Sequence, residues 1–371
     1  MQHAISKVSI GWVLALILVA CGGGSGGDAQ PPVVAVTPTP APTPTPAPIG
    51  AYSKISQYTV SPLGFTISRN EPKPGETCDL QIISSMVFDR NGRLFASGTT
   101  ITGERVTGAR VYSICGSINP YGSTNLFAIR TYGGTFNTLA LANNGKLLTS
   151  IGGYAVEFDP TVPGTPTEFR EKVLGPSFVT AKDGTHYSSF GRVIVKTTTA
   201  DVTSVLAGVV DDPPSAPVYD GVGNLARFGS IRAMALNADG DILVADFGAI
   251  RKVSPTGQVS TFVGKLGEFG ALDGTGAAAR FRFGNVTAMV FDSRGNLYVT
   301  DGSNHAVRKI TPQGDVSTIA GKLGVPGYVL GDSPGLIRNP GALAIDAADA
   351  LYVVVPTSDN VDKPVAILKI E

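Results

Sequence analysis

A hairpin pattern recurs six times along this 371-residue chain and limits its fold more than any other feature. Each copy has a short apolar strand, a four-residue turn that usually ends in glycine, and a second strand. The clearest copy joins 288–291 to 297–300 through the turn 292–295. Because Asp at the first turn position and Gly at the fourth favour a type I turn, this copy is predicted to be a tight antiparallel hairpin.

The spacing of the copies predicts how they assemble. The six turns end at residues 92, 145, 184, 240, 295 and 349, so four intervals span 53 to 56 residues and one spans 39. A third strand, plainest at 250–253 and 307–310, and a fourth, plainest at 259–262 and 316–319, complete each unit. Four strands per unit and six units predict an all-β, six-bladed β-propeller, since radial closure leaves few exposed edges.

The two chain ends are predicted to close the ring. The last unit stops at its third strand, 367–370, and 57–60 has the pattern of the missing outer strand. We therefore expect an N-terminal outer strand to complete the last four-stranded blade, so that closure turns separate sheets into one cooperative domain.

Residues 1–20 are typical of a removable secretion signal. One cation, Lys7, precedes about eleven apolar or small residues, too few to span roughly 30 Å of hydrocarbon. The sequence LVAC at 18–21 resembles the lipobox of bacterial lipoproteins, which implies diacylation and then triacylation of Cys21; a chance apolar start is the alternative. Gly22 resembles the sorting pattern for the outer membrane of Gram-negative bacteria, so a lipid-anchored cell-envelope protein is expected.

Residues 21–50 are expected to form a tether between the lipid and a single propeller domain at 51–371. The tether is Gly-rich and then Pro/Thr-rich, and its run 31–48 favours polyproline II at about 3.1 Å per residue, an arm of roughly 55 Å. The formal net charge of the chain is zero. It therefore has no global basic field for nucleic acid, and no nucleic-acid partner is expected.

The remaining cysteines, Cys78 and Cys115, are expected to pair in a disulfide. An envelope domain beyond the inner membrane meets an oxidising compartment, which favours such bonds. Two reduced, buried thiols are the alternative.

The fourth to sixth units resemble a known family. They contain DGTGAAARF at 273–281, GNLYVTD at 295–301, NHAVRKI at 304–310 and STIAG at 317–321. These stretches resemble the NHL-repeat propellers of bacterial secreted proteins, and the resemblance is strongest over about 218–345. The positions that match Asp301 in the other units hold Gly98, Ile151, Phe190, Asp246 and Val355. A six-fold ring of carboxylates is therefore excluded.

Polar residues are predicted to surround one mouth of the propeller channel. In each blade the first strand begins, and the second ends, on the same face. The candidate ligand-binding residues there are Ser84, Asn137, Arg232, Asp246, Thr287 and Asp301. One arginine with nearby carboxylates suits a small polar or anionic ligand. In the alternative, Arg232 pairs with Asp246 or Asp301 and joins adjacent blades.

No catalytic residue, cofactor or metal site is predicted. His305 is interpreted as a turn residue and His186 as a packed strand residue, and two histidines after the signal are too few for a three-His zinc site in one subunit. The loops 220–223 and 273–276 lack the Gly-Lys-Ser/Thr ending of a P-loop and the spaced carboxylates of a calcium loop. We interpret both as blade crossings.

Three functions compete. The first is a non-catalytic, membrane-tethered monomer that binds an envelope protein or polysaccharide. The second, which the resemblance allows, is a metal-dependent lactonase-like or lyase-like enzyme; it needs Glu, Asn and Asp at the channel mouth, where only Asn137, Asp246 and Asp301 are expected. The third, RNA recognition, is disfavoured by compartment and charge. The sequence favours the binding module.

Overall fold

The described part of the chain lies in one unit, Ala47–Glu371. The computed structural model describes residues 54–57, 82–102, 105–114, 126–128, 138–151, 154–159, 168–356 and 365–371. The signal, the tether, Cys21, Cys78, Cys115 and Asn137 lie outside these ranges. Within these ranges, no helix has the length and apolar character that a membrane crossing requires.

The described strands form six antiparallel sheets of four or five strands. The first sheet contains β2 (Ile82–Phe88), β3 (Leu94–Thr102), β4 (Arg105–Ile114) and β5 (Leu126–Ala128). The second contains β6 (Leu139–Leu141), β7 (Leu147–Ile151), β8 (Tyr154–Phe158) and β9 (Glu168–Val173). The third contains β10 (Ser177–Thr180), β11 (His186–Phe190), β12 (Val193–Thr197) and β13 (Thr203–Gly208).

The later sheets each have five strands. The fourth contains β14 (Gly221–Val222), β15 (Ile231–Leu236), β16 (Ile242–Asp246), β17 (Ala249–Val253) and β18 (Gln258–Gly264). The fifth contains β19 (Gly274–Thr275), β20 (Met289–Phe291), β21 (Leu297–Asp301), β22 (Ala306–Ile310) and β23 (Asp315–Gly321). The sixth contains β24 (Gly331–Asp332), β25 (Leu343–Ile345), β26 (Leu351–Pro356), β27 (Val365–Ile370) and β1 (Lys54–Gln57). Short 3-10 turns cover Gly223–Leu225, Gly276–Ala278 and Gly302–Asn304.

The six predicted hairpin turns are confirmed. In each, the amide of the fourth turn residue donates to the carbonyl of the first, as from Gly295 to Asp292 at 3.2 Å. Glycine supplies the positive φ at five of these turns, and Asp349 supplies it at the sixth with φ of 64°. The Asp292 carboxylate also accepts from the amides of Arg294 and Asn296 at 2.9 and 2.8 Å. Turn chemistry within four residues therefore fixes each hairpin.

The first strands of the hairpins, β2, β6, β10, β15, β20 and β25, line one central channel. Cross-sheet hydrogen bonds link neighbouring sheets, for example from the Leu139 amide to Ser85 Oγ at 3.0 Å and from Thr138 Oγ1 to the Pro176 carbonyl at 2.9 Å. Apolar clusters fill the spaces between successive sheets. This arrangement is a β-propeller, which confirms the predicted all-β class.

The two predicted blade crossings, and a third at 331–332, each supply a fifth strand, which the sequence did not predict. β14, β19 and β24 pair with the outer strand of the sheet that follows each crossing. Each crossing then buries a large apolar side chain between two sheets: Phe228, Phe281 or Ile337. Between β9 and β10 only residues 174–176 are available, too few for such a strand. That short connection explains the single 39-residue interval.

An N-terminal strand completes the sixth sheet, as expected. β1 pairs antiparallel with β27, with Ile55 opposite Ile370 and Gln57 opposite Leu368. The strand covers 54–57 rather than the predicted 57–60, of which 58–60 lie outside the described residues. Ile55 is 1% exposed and belongs to the cluster between the fifth and sixth sheets. Burial of Ile55 therefore sets the register, because a shift of one residue would turn its side chain outward.

Candidate functional site

The central channel is a cavity of about 800 Å³. Ser84, Arg232 and Thr287 line it at the end where the first strands begin, together with Thr138 and Asn285. Among the described residues that line the channel, Arg232 is the only charged one. Its side chain is exposed, and none of the described residues forms an ion pair with it. One mouth of the channel therefore carries a cation among hydroxyl and amide groups, and no described residue compensates its charge.

Two β-bulges direct side chains toward this mouth. In the fourth sheet Ile231 pairs with Asp246 and Ala233 with Ala245, so Arg232 is the extra residue. In the first sheet Ile83 pairs with Gly98 and Ser85 with Ser97, so Ser84 is the extra residue at the equivalent place. A bulge leaves one residue out of the ladder and re-aims its side chain, and bulges are common next to functional sites.

Asp246, which was expected at the mouth, is instead fully buried and does not line the channel. Its Oδ1 accepts from the amides of Gly229 and Ser230 at 2.9 and 2.6 Å, and its Oδ2 accepts from Arg251 Nη1 at 2.9 Å. Burial raises the pKa of this carboxyl above its ordinary value, and the Arg251 charge and these donors oppose the rise. Asp246 holds the segment before β15 in place rather than facing a ligand.

Asp301 has the same role in the fifth sheet. It is also fully buried, and accepts from the Arg282 amide, Asn304 Nδ2 and Arg308 Nη1 at 2.8, 2.9 and 2.8 Å. Burial raises the pKa of its carboxyl, and these partners counteract part of the rise. Arg251 pairs with Asp246, and Arg308 pairs with Asp301. The alternative in which Arg232 pairs with one of these aspartates is therefore not found among the described residues.

A second carboxylate completes each of these networks. Asp220 accepts from Arg251 Nη2 at 2.9 Å and from the Thr261 amide at 2.7 Å. Asp273 accepts in the same way from Arg308 Nη2 at 2.8 Å and from the Thr318 amide at 3.1 Å. The guanidiniums also lie over the rings of Phe228 and Phe281, at 4.6 and 5.0 Å from the centroids. These networks could have been predicted from the sequence. Two units share the same three features: an Asp-Gly-x-Gly loop, an Asp at the end of the second strand and an Arg in the third strand.

The histidines lie where the sequence interpretation placed them. His305 ends a 3-10 turn in the left-handed conformation, with φ of 57°, and its Nδ1 accepts from the Asn339 amide at 3.2 Å. Burial, with the nearby Arg338 charge, lowers the pKa of His305. His186 is 9% exposed and its Nδ1 lies 3.0 Å from Thr180 Oγ1. Among the described residues, no group of three or more His, Cys, Asp or Glu side chains could hold a metal ion.

Comparisons with known proteins agree on the fold. No protein-family model matches the sequence, and no curated protein matches it. An auxiliary nutrient binding protein from Bacteroides ovatus is similar in structure, with a TM-score of 0.59 and 18% identity over 87% of this chain and 77% of that one. Its counterpart from Bacteroides thetaiotaomicron gives 0.58 and 16% over 86% and 76%. At these identities the likeness supports the propeller fold alone.

Proposed function

We propose that this chain is a lipid-anchored cell-envelope protein whose propeller is a non-catalytic binding module. Its site is the channel mouth around Arg232, and its ligand carries negative charge. We further propose six blades of the NHL type, a tether at 21–50, and an outer-membrane location in a Gram-negative bacterium.

The observation that carries the proposal is the cation at the mouth, which no described residue compensates. Two arginines on the third strands of their sheets, Arg251 and Arg308, are fully buried and paired with carboxylates. Arg232 differs from both, because it is exposed, is the extra residue of a bulge, and has only neutral groups among the described residues beside it at the end of a cavity. A guanidinium in such a place binds carboxylate, sulfate or phosphate groups in bidentate fashion.

Several features support the finer parts of the proposal. Six sheets whose first strands line one channel support six blades. The NHL type is supported by the motif residues Asp273, Asp301 and Arg308, which form one network. The nutrient-binding proteins that share the fold are compatible with a binding role. The lipobox at 18–21 supports the anchor.

Calorimetric titration of the full chain in detergent, with galacturonate, sulfate and phosphate as separate probes, tests the site. We expect at least one anion to bind and Arg232→Ala to weaken it by about ten- to a hundredfold, the loss of a charge-assisted contact. Arg294→Ala is the matched control, because Arg294 is exposed in a hairpin turn at the opposite end of the sheets. Unchanged binding by Arg232→Ala, or a stoichiometric bound metal that the ligand requires, would contradict the proposal.

A further inference from the structure

Two exposed phenylalanines lie together on the face of the propeller that carries the channel mouth. Phe247 follows β16 directly, at the end of the sheet where β15 begins, and Phe269 lies in the loop after β18. Their rings meet edge to face, with centroids 5.4 Å apart and planes at 79°. The two residues are 37% and 54% exposed. This Phe247–Phe269 pair therefore presents aromatic surface to solvent.

The backbone at Phe247 favours a glycine. Its φ is +45°, in the left-handed region, where a bulky side chain is an outlier that costs roughly 1–3 kcal/mol. The equivalent turn of the third sheet, between β11 and β12, has Gly191 with φ of 59°. The fold thus accepts glycine at this turn, whereas the fourth sheet carries an aromatic ring that packing only partly covers.

The pair is held in place by neighbouring backbone and lies on the same face as the channel mouth. The Gly267 amide donates to the Phe247 carbonyl at 2.9 Å, which holds the Phe269 loop against the turn. A Cβ at Gly229 would come within 2.6 Å of the Phe247 ring, so the ring rests on Gly229. Gly229 is three residues before Arg232, so the backbones of these two residues are at most roughly 10 Å apart at about 3.4 Å per residue, and the Phe247 ring lies on the same face as the cation.

We propose that the Phe247–Phe269 pair is a stacking platform that extends the Arg232 site, and that the ligand is an acidic saccharide. The acid group of one sugar binds the Arg232 guanidinium, and the C–H face of a neighbouring sugar lies on the electron-rich aromatic ring. Thr287, Ser84 and the exposed Asn285 offer hydrogen bonds to the hydroxyl groups. This inference rests on the proposed anion site and adds the class of ligand and a second subsite.

The charge and chemistry of the mouth favour this occupant over an apolar one. Arg232 supplies a positive charge that no described residue pairs, and the neighbouring polar groups suit hydroxyls rather than hydrocarbon. A purely apolar partner would leave the guanidinium desolvated and unpaired, which is costly. A small anion alone would leave the aromatic pair unused.

The test compares trigalacturonate, galacturonate and neutral maltotriose as probes of the full chain by calorimetric titration. We expect trigalacturonate to bind more tightly than galacturonate, and maltotriose to bind most weakly. Phe247→Gly should weaken trigalacturonate binding by roughly three- to tenfold, the size of an aromatic contact, and leave galacturonate binding unchanged. Arg232→Ala should weaken both acidic probes. Leu225→Ala is the control, because Leu225 is 66% exposed but lies at the outer edge of the fourth sheet.

The outcomes separate the two proposals. Equal trigalacturonate binding by Phe247→Gly and the unaltered chain would overturn the stacking platform and leave the anion site standing. An anion site that binds sulfate or phosphate but no trigalacturonate would overturn the saccharide assignment. Insensitivity to Arg232→Ala would overturn the anion site itself. If Phe247→Gly fails to fold, Phe269→Ala makes the same comparison from a position outside the left-handed region.

Discussion

Asp301 and Arg308 are both fully buried, with Oδ2 and Nη1 2.8 Å apart. In the sixth sheet the equivalent positions hold Val355 and Leu368. Val355 pairs with Ala366 as Asp301 pairs with Ala306. Leu368 lies opposite Val353 as Arg308 lies opposite Val299. Both are 0% exposed. The same place in one fold thus accepts either a satisfied ion pair or two apolar side chains, which indicates that the pair specifies geometry more than it adds stability.

Breaking this pair should cost far more than replacing it. Asp301→Ala leaves the buried Arg308 charge with one described carboxylate partner, Asp273, and should reduce the free energy of unfolding by about 3–5 kcal/mol. The double substitution Asp301→Val with Arg308→Leu copies the sixth sheet and should cost less than about 2 kcal/mol, because Asp273 is 43% exposed and can be hydrated. Urea denaturation of both variants measures the difference. A double variant as unstable as the single one would contradict the equivalence of the two sheets.

At the scale of strands, local chemistry was predictable and long-range pairing was not. The turn from Asp292 to Gly295 is encoded by four adjacent residues, so the sequence predicted it and its five relatives. The fifth strand Gly274–Thr275 exists because β23 pairs with it about 40 residues away, and two residues carry no periodicity of their own. The register of β1 likewise depends on the packing of Ile55 between the fifth and sixth sheets.

The same distinction applies to the candidate site. Strand direction alone placed Ser84, Arg232 and Thr287 at the mouth, and the structure puts all three beside the channel. Asp246 was misplaced because its donors, Gly229 and Ser230, lie on the crossing that precedes the sheet. A carboxylate at the end of a strand points toward the donors that the crossing places beside it. The hairpin pattern of the sequence does not predict the course of the crossing.

The joining of the chain ends through β1 is expected to control the stability of the whole propeller. Ile55→Ala should lower the free energy of unfolding by about 2–5 kcal/mol, because it empties a fully packed site between sheets. Since β1 links the N-terminal and C-terminal ends, the melt should shift as a single transition. Differential scanning calorimetry tests this, with Lys54→Ala in the exposed adjacent position as control. An early partial transition confined to the sixth sheet would argue against cooperative closure.

On the scale of the whole molecule, the first described strand begins away from the candidate site. β1 is antiparallel to β27 and starts beside Glu371, at the end of the sixth sheet that carries its hairpin turn. The mouth with Arg232 and the Phe247–Phe269 pair is at the opposite ends of the strands. The proposed tether precedes β1, and β1 begins at the end of the strands opposite the proposed mouth, which suits a module that must keep its mouth accessible.

The proposed lipid anchor can be tested separately by a single substitution. Cys21→Ala removes the only thiol at the lipobox, so the chain should move from the membrane fraction to the soluble or unprocessed fraction and lose the mass of its acyl chains. Several acyl chains give stable attachment where one gives only marginal binding, so the unaltered chain should resist high-salt and carbonate washes and require detergent for release. Cys115→Ala, outside the lipobox, should remain in the membrane fraction. Intact-mass spectrometry and fractionation measure both effects. Retention of Cys21→Ala in washed membranes with unchanged mass would show that another segment holds the protein there.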